Sequence, residues 1–203
     1  MTQKYSEDFI EKHRHINVDH EWWDAVYEDF YEICKILGIE LDKREPCFSG
    51  FWSQGDGASW AGVYRAQGLG YAGLAPLYTY DQAPARMREY APLDEELHRI
   101  ADELCLLARI YGPVYARVGR SSYRYVHEMT MQIDNWEFYD EEREEDVPEE
   151  SAEHIENTLL ELFRDLARWL YKSLEREYDY LTSDEVVIET LEANEIEEEE
   201  EDA

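Results

Sequence analysis

The chain has 203 residues, of which 44% are hydrophobic and 14% aromatic, so it can bury a core and wholesale disorder is excluded. Its formal net charge of −30 opposes direct binding to nucleic acid, whose backbone is also negative. No apolar run reaches 18 residues and no secretory leader is present, which predicts a protein without membrane contact. Three cysteines without a C-x-x-C spacing predict reduced thiols in a cytoplasm.

The negative charge is concentrated towards the C-terminus. Residues 131–203 hold 28 acidic and five basic side chains, a net charge of −23. Residues 1–43 carry −6 and residues 44–130 only −1. A coat of carboxylates that merely solvates the surface would be spread more evenly, so this distribution is the first indication of function.

The N-terminal half alternates between helical and extended patterns. A short helix is predicted over residues 7–15, and apolar residues at steps of three and four predict a longer one over 20–37. After Pro46 the period becomes two, which predicts a hairpin over 47–65 with an aromatic face. Glycines and prolines then predict a loop over 66–91.

A second helix is predicted from residue 92 to 111, because Pro92 suits its first turn and Gly112-Pro113 ends it. Its predicted buried stripe consists of Leu93, Leu97, Ile100, Leu104, Leu107 and Ile110. A second hairpin follows, with strands at 114–118 and 123–136 that are rich in β-branched and aromatic residues.

The last third is predicted to be helical and acidic. An exposed acidic loop at 140–150 leads to the longest helix, 151–178, and a capping box at 182–185 opens a last helix over 183–194. Together these patterns predict the α+β class: an antiparallel sheet of four or five strands from two hairpins, backed by three to five helices. We expect one domain over 1–194, with an acidic helical part at 151–194, and a disordered acidic tail at 195–203.

The most distinctive string is Ser-Gly-Phe-Trp-Ser-Gln-Gly-Asp-Gly-Ala-Ser-Trp at 49–60. Its glycines suit a tight turn and its tryptophans suit packing of the sheet on a helix, which favours a structural role. In the functional interpretation, Gln54 and Asp56 on the turn contact a partner.

Motifs for cofactors and metals are weak. The G-x-G-x-x-G string at 68–73 is followed by Pro76 rather than by a helix that could hold a pyrophosphate, which favours an ordinary loop. His13, His15 and His20 lack convergent spacing and are interpreted as surface residues. We therefore predict neither a cofactor nor a metal.

Catalytic motifs are equally weak. His127 and Glu128 are predicted to lie on a strand, where their side chains would point to opposite faces. No nucleophile elbow, P-loop or zinc-hydrolase motif is present, so no catalytic residue is predicted.

Four basic residues recur every fourth position on the long helix: Arg164, Arg168, Lys172 and Arg176. Because acidic residues surround them, ion pairs within the protein are the favoured interpretation over a phosphate site.

The acidic C-terminal third matches duplex DNA in scale. A net charge of −23 corresponds to about 11 base pairs, and a 28-residue helix is about 42 Å long. Rows of carboxylates on such a frame can imitate a phosphate backbone for a protein with a basic groove. The residues predicted to bind that partner are Asp140, Glu141, Glu142, Glu144, Glu145, Asp146, Glu149, Glu150, Glu153, Glu156, Gln54 and Asp56.

Two strings resemble a family of uncharacterised proteins that phages and plasmids carry. They are Ser-Gly-Phe-Trp-Ser-Gln-Gly-Asp-Gly-Ala-Ser at 49–59 and Glu-Tyr-Asp-Tyr-Leu-Thr-Ser-Asp-Glu at 177–185, which continues to Glu-Ala-Asn-Glu at 192–195. Some members are loosely labelled antitoxins. The resemblance implies a mobile element in a bacterial host cell and no particular mechanism.

We expect a non-enzymatic inhibitor that presents a DNA-like surface to a host nucleic-acid-binding defence protein, such as a CRISPR effector or a restriction enzyme. One alternative is an antitoxin that neutralises a basic toxin by the same electrostatics. The other is an enzyme with its site near the 53–59 turn and His127. The sequence leaves the oligomeric state open.

Overall fold

The computed structural model describes residues 5–67, 79–122, 124–138 and 148–198. Its described helices are α1 (Glu7–Lys12), α2 (Asp24–Leu37), α3 (Ala83–Tyr90), α4 (Glu95–Tyr111), α5 (Glu149–Leu181) and α6 (Asp184–Ala193). Its described strands are β1 (Ile39–Leu41), β2 (Cys47–Phe48), β3 (Ala58–Ser59), β4 (Gly62–Arg65), β5 (Val114–Arg120) and β6 (Met131–Phe138). The predicted α+β class is confirmed, and none of the described helices has the length and apolar run that a membrane crossing requires.

The main sheet is antiparallel and has the strand order β1-β4-β5-β6. The pairing of the predicted second hairpin is confirmed as β5 and β6, but its second strand begins at Met131 rather than at residue 123. The predicted first hairpin, residues 47–65, divides between two sheets: β2 and β3 pair only with each other, whereas β4 pairs with β1 and β5. Gly62 permits the approach of β1, because a Cβ there would overlap the backbone carbonyl of Glu40.

Helix α5 packs across the main sheet in the larger of two compact units, residues 27–171. Phe163 contacts the rings of Trp60 and Tyr64, with centroids 5.3 and 5.4 Å away. The Trp60 indole also donates a hydrogen bond of 3.2 Å to the Phe163 carbonyl. All three side chains are almost fully buried, so they form the centre of this core.

Trp169, about two turns further along α5, joins α2 and the start of α4 to this core. Its ring stacks near Phe30 of α2, at 6.5 Å between centroids. Its indole donates a hydrogen bond of 2.7 Å to Asp94. Asp94 also caps α4, because its other carboxylate oxygen accepts from the backbone N–H of Leu97.

Two helix predictions are corrected by the structure. α3 forms within the predicted loop 66–91, because Pro84 lies in its first turn, where proline is tolerated, and Met87 is buried. It makes six described helices instead of three to five. Leu93 and Ile110 are exposed rather than buried, whereas the other four residues of the predicted α4 stripe are buried. Leu93 precedes the Asp94 cap, and Ile110 has rotated away from the buried face.

The smaller unit consists of residues 1–26 and 172–203, so it joins the two ends of the chain. Its described core consists of Tyr5, Ile10, Val187 and Leu191. The Tyr5 hydroxyl donates to the Ile196 carbonyl at 3.1 Å, and the Ser6 backbone N–H donates to Glu198 at 2.8 Å. Residues 195–198 of the predicted disordered tail therefore contact the N-terminal segment, and residues 199–203 lie outside the described residues.

Leu191→Ala should lower the free energy of unfolding by about 2–5 kcal/mol, because it opens a cavity in the small core shared by α1 and α6. Amide hydrogen exchange should accelerate in α1 as well as in α6 if both helices depend on that core. Glu189→Ala, an exposed position on the same helix, is the matched control and should change stability by less than about 0.5 kcal/mol. Unchanged exchange in α1 would contradict a shared core.

Candidate functional site

Asp56 closes the loop at residues 49–57, which we call the Asp56 loop. Its Oδ2 atom accepts hydrogen bonds from the backbone N–H groups of Trp52 at 3.0 Å and Ser53 at 2.7 Å. Both donors belong to the tip of the loop, so one carboxylate oxygen fixes the tip to the returning strand. Such side-chain to backbone bonds are typical of aspartate in turns.

Ser49 and Gly57 close the base of the Asp56 loop. The Ser49 hydroxyl accepts from the Gly57 N–H at 3.0 Å, and the Ser49 N–H donates to the Gly57 carbonyl at 3.0 Å. At the tip, Gly55 has a φ of 93°, which a residue with a side chain rarely adopts. The turn signal read from the sequence is thus confirmed at residue 55.

The aromatic side of the loop lies against α5. Phe51 stacks near Phe48, with 5.8 Å between centroids, and contacts the Tyr171 ring at 5.5 Å. The Tyr171 hydroxyl donates a hydrogen bond of 3.1 Å to the Gly50 carbonyl. The loop is consequently attached to the same helix that organises the core.

His127 lies against the base of the loop. A Cβ at Gly57 would come within 2.9 Å of the His127 ring, so glycine is required for this approach. The prediction that His127 and Glu128 lie on a strand is wrong: His127 caps a short 3-10 helix, Glu128–Thr130. Its Nδ1 accepts from the Met129 N–H at 3.1 Å and lies 3.0 Å from the Glu128 carboxylate, because a capping side chain turns back towards the next residues.

Gln54 and Asp56, both predicted to bind a partner, have different environments. Gln54 is exposed at the tip of the loop. Asp56 is half-buried, and its Oδ2 is occupied by two backbone donors. This geometry gives Asp56 a structural function whether or not a partner also contacts it.

The sequence did not predict a buried ion pair that lies beside Ser59 of β3. Arg120 is 5% exposed and Glu45 is 9% exposed, and their side chains form an ion pair. The Arg120 Nε also donates to the Ser59 hydroxyl at 2.7 Å, and the Tyr31 hydroxyl donates to the Glu45 carbonyl at 2.8 Å. Glu45 and Arg120 are 75 positions apart. No local sequence pattern relates positions so distant, so the pair could not be predicted from the sequence.

Burial dominates the electrostatics of this pair. It raises the pKa of Glu45, and the hydrogen bond and charge of Arg120 only partly oppose that change. Burial also raises the pKa of the neighbouring Cys47 thiol, and the Glu45 carboxylate acts in the same direction. A thiol with a raised pKa is a poor nucleophile, which disfavours a catalytic function for Cys47.

Exposed carboxylates cluster on the first turns of α5. Glu149, Glu150, Glu153 and Glu156 are all exposed, and only Glu156 has a described hydrogen bond, from the Trp136 indole at 3.3 Å. The helix dipole favours negative charge at this end. The other six acidic residues predicted to bind a partner lie outside the described residues: Asp140, Glu141, Glu142, Glu144, Glu145 and Asp146.

The middle of α5 is electrically different, because its charges pair with each other. Asp165 forms ion pairs with Arg168 and with Arg99 of α4, the latter at 2.6 Å. Arg164 pairs with Glu161 at 2.7 Å. The predicted ion pairing of the basic stripe is therefore confirmed for Arg164 and Arg168.

The smaller unit has the higher density of negative charge. It holds 20 acidic and five basic side chains in 58 residues, whereas the larger unit holds 29 and 14 in 145. A cleft of about 340 Å³ between α1 and α6 is lined by four carboxylates and by Arg14, which pairs with Glu11 and Asp184. Within the described ranges, no three His, Cys, Asp or Glu side chains converge as metal ligands. The glycine-rich string at 68–73 lies outside those ranges.

Residues 22–184 match the model of a family described as a domain of unknown function, DUF8835. The match spans most of the chain, so the chain belongs to this family. Neither a curated protein nor a solved structure matches the chain.

Asp56→Ala should lower the free energy of unfolding by about 1–2 kcal/mol, because two backbone donors at the loop tip lose their acceptor. Asp56→Asn should cost less than half as much, since a single side-chain oxygen accepts both bonds. Chemical denaturation compares the two variants. Equal losses would show that the negative charge, and not the acceptor, holds the loop.

Arg120→Met should lower the free energy of unfolding by about 3–5 kcal/mol at about pH 7, because it leaves Glu45 buried without a counter-ion. The raised pKa of Glu45 lets the folded variant take up a proton before the unfolded chain does. Stability should therefore recover as the pH falls below neutral and Glu45 is protonated, and should be lost again as the pH rises.

Arg117→Met, on the same strand, is the matched control. Arg117 pairs with Asp42, and both side chains are more than a third exposed, so its loss should cost less than about 1 kcal/mol. Urea unfolding at several pH values measures all three proteins. A pH-independent loss in Arg120→Met would contradict the assignment of Glu45.

Proposed function

We propose that the chain acts by binding: its acidic surfaces imitate duplex DNA and occupy the basic groove of a host nucleic-acid-binding defence protein, such as a CRISPR effector or a restriction enzyme. A phage or plasmid would carry such an inhibitor, and the resemblance at residues 49–59 and 177–195 supports that setting. The inhibitor needs no cofactor and makes no direct contact with nucleic acid.

The spacing of the carboxylates on α5 carries the proposal. Successive helical residues are about 100° apart, which places Glu149, Glu153 and Glu156 within about 60° of arc. Glu150 lies outside this arc, about 100° from Glu149; counted around the helix, the four exposed carboxylates span about 10.5 Å, one for about every 3.5 Å of helix axis. One strand of duplex DNA carries a phosphate for about every 3.4 Å of axis. The first turns of α5 thus reproduce the linear charge density of a nucleic-acid strand.

The rigidity of α5 supports recognition by charge. The helix is attached to the sheet through Phe163 and to α4 through Trp169, so its carboxylates need no ordering when a partner binds. Ion pairs neutralise its middle, which leaves the excess negative charge of the described 149–171 segment at its start. The smaller unit adds a separate surface of high negative charge. Such fields accelerate encounters with a basic partner.

The two alternatives differ in partner and in chemistry. A basic toxin would be bound by the same electrostatics, and the antitoxin label of similar proteins favours that partner. The enzymatic alternative near the 53–59 turn receives less support, because Asp56 Oδ2 and His127 Nδ1 both accept hydrogen bonds from backbone N–H groups.

The triple variant Glu149→Gln, Glu153→Gln, Glu156→Gln should weaken inhibition of DNA binding by a purified restriction enzyme or RNA-guided nuclease by at least about tenfold. Competition with a labelled DNA duplex measures this effect for a panel of such enzymes. Wild-type inhibition should decrease as salt increases, because screening weakens charge complementarity.

The matched control is the triple variant Glu28→Gln, Glu95→Gln, Glu137→Gln, whose three positions are exposed on other elements. Both triples change the formal net charge from −30 to −27, so only their positions differ. Equal losses of inhibition in both triple variants would show that the net charge, and not the position of the carboxylates, causes the effect. The proposal would be overturned if the inhibition changed neither with the salt concentration nor in either triple variant.

A further inference from the structure

We propose that a second copy of this chain binds at the tip of the Asp56 loop and the adjoining segment 124–129. These two segments present three large apolar side chains to solvent: Trp52 is 75% exposed, Tyr125 59% and Met129 60%. We call these three residues the aromatic patch. Large apolar side chains that are exposed on adjoining segments are typical of interaction surfaces in folded proteins.

The two segments are packed together at their bases. Gly57 lies against the His127 ring, and the Ser49 hydroxyl lies 3.4 Å from the Val126 carbonyl. On the other side, the Thr130 hydroxyl donates to the His127 carbonyl at 2.7 Å, which holds the segment that carries Tyr125 and Met129. The patch is thus displayed by one supported surface of the larger unit.

The inner residues of the loop hold it closed, whereas most of the Trp52 side chain is exposed to solvent. Asp56, Ser49 and Gly57 are engaged in closing the loop, and Phe51 packs on Tyr171. Trp52 meets the Phe51 ring edge-on at 5.9 Å, which orients it without covering it. A pre-organised tryptophan loses little conformational freedom on binding and is the residue type most typical of binding hot spots.

The charge of this surface points to a second copy as the occupant. Asp56 is the only charged residue in 47–60, and the charges of Arg124 and Glu128 cancel within segment 124–129, in a chain whose net charge is −30. Two copies of so acidic a protein repel each other, and that repulsion is smallest where they meet through a surface that is nearly neutral. A basic groove, by contrast, would find no cluster of carboxylates here.

The composition of the surface is also complementary to itself. The exposed Arg124 guanidinium lies 5.6 Å from the centroid of the Tyr125 ring within one chain. A two-fold axis through the patch would offer each guanidinium the rings of the other copy as well, because an isologous interface joins the same residues twice. The aromatic patch and the neighbouring Arg124 together supply both partners of a cation–π contact.

Sedimentation velocity of the purified chain tests this inference over a range of protein concentrations at about 0.05 M and about 0.5 M NaCl. We expect a reversible dimer of twice 24.2 kDa, whose dissociation constant decreases as salt rises, because screening reduces the repulsion between copies. The salt dependence is opposite in sign to that expected for the acidic surfaces and a basic partner. The two proposals can therefore fail independently.

Trp52→Ala should raise the dimer dissociation constant by about thirtyfold, the effect of one hot-spot residue. Met129→Glu should do at least as much, because it places two like charges in the interface. Leu93→Ala is the matched control: Leu93 is 93% exposed on another part of the larger unit, and its loss should leave the constant unchanged.

Circular dichroism melting of each variant excludes unfolding as the cause of dissociation. A wild-type chain that stays monomeric at both salt concentrations would overturn the inference. So would a dimer that Trp52→Ala and Met129→Glu leave intact, or one that weakens as salt rises.

Discussion

The packing of Phe163 against Trp60 and Tyr64 is the constraint on which the larger unit depends. It attaches the longest helix to the main sheet at a point where the indole of Trp60 also satisfies a backbone carbonyl. Within the larger unit, the features that we connect with function are held by this helix or by elements that contact it. Tyr171 supports the Asp56 loop, and the first turns of α5 carry the exposed glutamates.

Because 49 of 203 residues are acidic, the number of carboxylates alone cannot distinguish function from structure. The contacts of each carboxylate make that distinction. Asp56 binds backbone N–H groups, Glu45 pairs with a buried arginine, and Asp165 joins two helices. Among the described residues, the exposed glutamates at the start of α5 have one such contact, between Glu156 and the Trp136 indole, and the proposed function therefore rests on them.

The acidic surfaces and the aromatic patch have opposite electrostatic requirements. Charge complementarity with a basic partner weakens as salt increases, whereas contact between two acidic copies becomes easier. The near-neutral residues 47–60 and 121–127 belong to the larger unit, and the smaller unit has the higher charge density. One chain can thus separate a surface for self-association from surfaces for an electropositive partner.

The sequence by itself determined the features that depend on local periodicity and on composition. The α+β class, the β5–β6 hairpin, the long helices and the turn at Gly55 follow from apolar spacing and from glycine at a positive φ. Only the tertiary structure decided which residues meet across long separations: Glu45 with Arg120, Gly57 with His127, and β4 with β1. No local pattern encodes those contacts, because the free energy that selects them arises from burial shared among distant segments.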